Sequence, residues 1–83
     1  MKTIYNPSYR KLIDWLAYQR QFMNVSRATV SKNMGLKNIS FVEKVERYET
    51  KLDVLHFVLL CNALQVDPKG AIEVLNVDIN PFE

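Results

Sequence analysis

Between its turn signals this chain repeats apolar residues at helical spacing and not at the alternation of a strand, so a packed set of helices is what its 83 residues can build. Ser8 is placed to cap a first helix from Tyr9 to about Phe22. At 100° per residue Tyr9, Leu12, Ile13, Leu16 and Arg20 share one face of it. Trp15, Tyr18 and Phe22 fall on another, roughly 140° away. Ser26 caps a short second helix, Arg27 to about Met34, with Val30 and Met34 stacked and the small residues Ala28 and Ser31 allowing close approach of a neighbour. Gly35 follows, suited to a left-handed turn. Asn38 is the expected cap of a third helix through about Tyr48, buried along Phe41, Val42, Val45 and Tyr48 and polar along Ser40, Glu43, Lys44 and Arg47. Asp53 caps a fourth, Val54 to Leu64, apolar almost all round and therefore expected at the centre. Asp67-Pro68 opens a fifth, to about Leu75. Residues 76–83 begin with alternating polar and apolar residues and read as an extended tail.

One domain is expected over residues 1–83, with its core at about 8–75, because a chain this short buries only ~60–65% of its unfolded surface and has no room for a second core. At 48% hydrophobic and 24% charged the composition is that of a folded soluble domain. The lone Cys61 cannot form a disulfide within the chain and no Cys/His cluster has metal-ligand spacing, which points to the cytoplasm and to no metal. No apolar run approaches the ~20 residues that span a membrane. Nor does any nucleophile, base and orienter set, acidic pair or glycine-rich phosphate loop appear, so an enzyme and a cofactor are not expected. His56 reads as a partly exposed helix histidine and Cys61 as an inert buried thiol.

Charge is unevenly spread. Residues 1–53 carry ten Lys/Arg against five Asp/Glu, and residues 54–83 one against four, giving +5 and −3. A basic part of this kind is the footprint a polyanion requires. Two short helices joined by a glycine turn, the second with a polar outer face, describe a helix-turn-helix unit in which Ser26 and Asn38 bring two helix N-termini to one side. A five-helix domain that binds another protein is the competing reading.

Leu16 and Arg20, then Ser26-Arg27-Ala28-Thr29-Val30-Ser31, Gly35, Phe41-Val42-Glu43-Lys44-Val45-Glu46-Arg47, Asp53 with Phe57, and Ala63-Leu64-Gln65-Val66-Asp67-Pro68 together form a pattern. From about Leu12 to Leu75 the chain resembles the lambda-repressor and Cro-like (XRE-like) helix-turn-helix domains. It departs from that pattern in four ways. Arg27 stands at a usual glutamine, Tyr48 at the glycine after the third helix, and Glu43 at a small polar residue, while the turn from Gly35 to Phe41 is one residue longer.

The resemblance implies an all-α, five-helix lambda-repressor-like domain with a short extended C-terminal tail, acting as a sequence-specific transcriptional regulator, expected to be a repressor. Its third helix would enter the major groove of double-stranded DNA at an inverted-repeat operator. Ser40, Glu43, Lys44 and Arg47 can reach base edges or flanking phosphates, Lys37 and Lys51 can contact phosphates, and Arg27 joins this set. Asn38, Ile39 and Ser40 each qualify for the first base-reading position. Arg20 is expected to pair with Glu46. A homodimer is expected, because one small domain contacts few base pairs; Trp15, Tyr18 and Phe22, with Val77, Ile79 and Phe82 of the tail, form its expected interface, unless the tail itself folds back over that ridge. The alternative function is an antitoxin-like or other protein-interaction module of the same fold, and a regulatory protein partner is compatible with either.

Overall fold

A computed structural model describes residues 3–75. After a 3-10 turn, Thr3–Tyr5, five helices follow: α1 Pro7–Phe22, α2 Arg27–Asn33, α3 Phe41–Glu46, α4 Val54–Leu64 and α5 Pro68–Val74. The described residues form an all-α, five-helix domain with no strand among them.

Local chemistry sets most helix ends. The first cap is Asn6, not Ser8: its Oδ1 accepts from the Ser8 and Tyr9 backbone N–H groups at 2.8 and 3.1 Å. Pro7 at the first helical position explains the earlier start, since its fixed φ suits the helix and its missing N–H would have had no partner there. Ser26, Asp53 and Asp67 each accept from a backbone N–H of the turn they cap. The third helix is shorter than the expected span from Asn38 to Tyr48. Asn38 Oδ1 accepts from Ser40 N at 3.0 Å in a turn ahead of it, and Ser40 occupies the cap position without a side-chain cap bond. It ends early because Tyr48 turns left-handed, φ +62°.

That left-handed residue lies where the resemblance places a glycine, and Gln65, after α4, is left-handed as well, with φ +59°. Both carry a Cβ into a region costing about 1–2 kcal/mol. Tyr48 has compensation: its ring lies under the Arg10 guanidinium, 4.2 Å from the ring centroid, and its hydroxyl donates to Asp14. Gln65 makes no comparable side-chain bond. Gln65→Gly is therefore expected to raise stability by about 1 kcal/mol or slightly less, read as a higher urea midpoint, because relief of the left-handed backbone outweighs the entropy glycine adds to the unfolded chain. A lower midpoint would contradict this account.

Tyr9, Leu12, Ile13 and Leu16 of α1, Val30 and Met34 of the second helical segment, Val42 and Val45 of α3, Leu60, Cys61 and Leu64 of α4, and Ala71 of α5 form the core. The apolar α4 is not central along its whole length. Its C-terminal half is buried against α1, α2 and α5, whereas Val54 and Leu55 in its first turn are 80% and 65% exposed and Val58 is also exposed. Apolar character all round a helix describes what it can bury, and here the neighbours cover one half. Cys61 is fully buried, which pushes its thiol up to about 11, with a smaller contribution from the Asp67 charge.

Candidate functional site

Residues 27–51, which span α2, α3 and the turns around them, hold most of the residues selected from sequence, and one serine governs how the two helices meet. Ser31, fully buried, donates its hydroxyl to Arg27 O and accepts from Val42 N, both at 3.1 Å. That second bond satisfies an N–H of the first turn of α3, one of the groups a helix leaves open at its start. Small size lets α2 approach, and the hydroxyl fixes the register. Ala28, also expected at this contact, is exposed instead.

Behind α3, Glu46 gathers two arginines from different elements. Arg20 Nε lies 2.7 Å from Glu46 Oε2 and its Nη2 lies 3.2 Å from Oε1, while Nη1 donates to Val25 O at 2.8 Å. Arg27 Nε lies 2.7 Å from the same Oε1. Arg20 and Glu46 are largely buried and Arg27 is half exposed, so the carboxylate links α1, the start of α2 and the end of α3. Its hydrogen bond, and then its charge, raise the Arg27 guanidinium above its ordinary value. Arg27, selected from sequence as a DNA contact, is thus held by a protein carboxylate. The arginine at a usual glutamine position gave a signal for this, because a second cation near Arg20 calls for an anion within reach.

The outward side of α3 and its flanks hold the rest. Lys37, Asn38, Ile39, Lys44, Arg47 and Lys51 are exposed, and Ser40 and Glu43 are partly so. Glu43 pairs with Arg47 one turn on, at 3.1 Å. Lys32, Lys37, Lys44 and Lys51 take part in no ion pair among the described residues. Both acids of α3 therefore face arginines, and its one lysine, Lys44, is in no ion pair among the described residues. Asn38 serves the turn before the helix through its bond to Ser40 N, which leaves Ile39 and Ser40 as the residues that open α3 without such a task.

On α1 the expected aromatic ridge divides. Trp15 is partly buried against the core, while Tyr18 and Phe22 are 62% and 79% exposed. Val77, Ile79 and Phe82, the other half of the expected interface, lie outside the described residues. His56 packs against Phe41 in a tilted arrangement, ring centroids 4.9 Å apart, and its Nδ1 is 2.8 Å from both oxygens of Asp53. The His56 backbone N–H, and then the ring, hold the Asp53 carboxyl below its ordinary value. Among the described residues no group of His, Cys, Asp and Glu has the arrangement of a metal site, and no helix is long and apolar enough to cross a membrane.

These features define a small all-α domain whose third helix and flanking turns carry exposed basic residues. No family model, curated protein or solved structure matches the chain.

Proposed function

We propose that this is a lambda-repressor-like helix-turn-helix domain that binds duplex DNA in a sequence-specific way through α3, as a transcriptional regulator and most simply a repressor. The observation that carries the reading is the two-sided character of α3: Val42 and Val45 are buried, while Lys44 on the outward side, Arg47 just after the helix, Lys37 before it and Lys51 beyond it are all exposed. Lysines without protein partners suit phosphates, and an arginine on such a helix suits guanine O6 and N7. The Glu43 contact does not oppose this use of Arg47. An exposed pair one turn apart is worth about 0.3–0.5 kcal/mol, against ~1–3 kcal/mol for a good bidentate base contact. Arg27 can also turn to a phosphate, because Glu46 would keep its two bonds from Arg20. A homodimer on an inverted repeat would double the bases read.

Selection from random duplex DNA, followed by mobility shift with the enriched site, tests the proposal; two inverted half-sites are expected. Arg47→Ala should cost ~1–3 kcal/mol and relax preference at one position, whereas Lys37→Ala should weaken all sequences alike and lower the salt slope by about one. Failure to enrich any sequence, with no salt-dependent binding to duplex, would reject DNA as the ligand. A second reading, a protein-interaction module, draws on the exposed Tyr18 and Phe22, since large aromatics left in water commonly mark an interface. It predicts association that Phe22→Ala weakens and that DNA does not require.

A further inference from the structure

An apolar groove of about 280 Å³ opens where α1, α4 and α5 converge, walled by Tyr9, Leu12, Leu52, Val54, Phe57 and Ile72. Its polar contribution is small: the Tyr9 hydroxyl accepts from Leu52 N at 3.0 Å, and Asp53, which also lines it, is engaged by the His56 backbone N–H and ring. Val54 and Ile72 on its rim are 80% and 53% exposed, so the domain leaves unfilled a recess large enough for an aromatic ring and an aliphatic neighbour. Leu75 also lines it, and Leu75 is the last described residue. From that lip the chain continues Asn76-Val77-Asp78-Ile79-Asn80-Pro81-Phe82-Glu83.

We propose that this groove is the seat of the chain's own residues 77–82, bound in cis, in place of the Trp15, Tyr18 and Phe22 ridge. Two observations converge on this occupant. The segment starts at the groove, so its effective concentration there is on the order of millimolar, about a thousandfold above a second copy at micromolar concentration. Its sequence fits, since Val77 and Ile79, two positions apart, would share one side of an extended segment at about 7 Å spacing, and the seven residues from Leu75 to Phe82 can reach up to ~25 Å. The seated tail would cover Val54 and Ile72 and leave α3 untouched, so the proposal stands independently of what α3 binds.

A nitroxide on Glu83→Cys in the full chain, with amide signals read by NMR against the diamagnetic analogue, tests the seat. Cys61 is fully buried with its thiol pushed up to about 11, so the label goes to the new cysteine. Leu52 and Val54 are expected to lose most of their signal while Tyr18 and Phe22 keep theirs. Adding Phe82→Asp to the labelled chain should restore Leu52 and Val54 with the circular dichroism unchanged, and Ile79→Asp should do the same if Phe82 alone is not the anchor. Any of four results would overturn the proposal. They are no loss at Leu52 and Val54, loss centred on Tyr18 and Phe22, loss that survives both substitutions and so reflects only the tether, or loss passed to an unlabelled isotopic chain in a mixture, which would make a second copy the occupant.

Discussion

Glu46→Ala is expected to destabilise the domain by about 3–5 kcal/mol, the cost of leaving a buried charge without its partner. An 83-residue domain has roughly 4–12 kcal/mol in total, so the variant should be close to unfolding at physiological temperature. The size of the effect follows from the geometry and not from the net strength of the pair. Arg20 is held among α1 and α3 side chains, and once the carboxylate is gone its Nε and Nη2 lose their acceptor while only the Val25 carbonyl remains for Nη1. Arg27→Ala, which removes the half-exposed member, should cost under about 1 kcal/mol. Urea unfolding followed by circular dichroism separates the two. Equal, small shifts for both would mean that Arg20 finds water when Glu46 is removed and that the cluster is not effectively buried.

Leu16→Ala should cost about 2–5 kcal/mol, more than its lost area alone, because Leu16 backs the same cluster. A void of only about 10 Å³ lies among Leu16, Ile13, Val42, Val45, Leu60, Leu64 and the Arg20 and Glu46 side chains, at the lower limit of what can hold a water. Truncating Leu16 enlarges it and opens a wet path to the ion pair. The cost therefore should couple with that of Glu46→Ala, and the double variant should lose less than the sum of the single losses. Leu16→Met, which keeps the volume, should stay within about 1.5 kcal/mol. Strict additivity in the cycle would show that cavity and ion pair do not communicate.

The helices, their order and most of their ends were legible in the residues because capping and periodicity are local. Ser26, Asp53 and Asp67 bond to backbone within three positions of themselves, and the Tyr9, Leu12, Ile13, Leu16, Arg20 face is an angular consequence of the helix. Asn6 was equally local, and the Asn-Pro pair is the signal that identifies it. The polar side of α3 was legible for the same reason, as residues at helical spacing with Val42 and Val45 on the other side. What tertiary structure decided depends on residues far apart in the chain meeting. Periodicity shows that α4 can be buried all round, but only the placement of α1, α2 and α5 determines that Leu60, Cys61 and Leu64 are covered while Val54 and Leu55 are not. Likewise, charge counting does not reveal that Glu46 would draw Arg27 as well as Arg20, nor that Ser31 would close an N–H of α3, because each bond joins groups that the intervening chain must first bring within about 3 Å. The left-handed turn at Tyr48 is tolerated for the same physical reason: Arg10 and Asp14 arrive from α1 to hold a ring whose backbone conformation favours glycine.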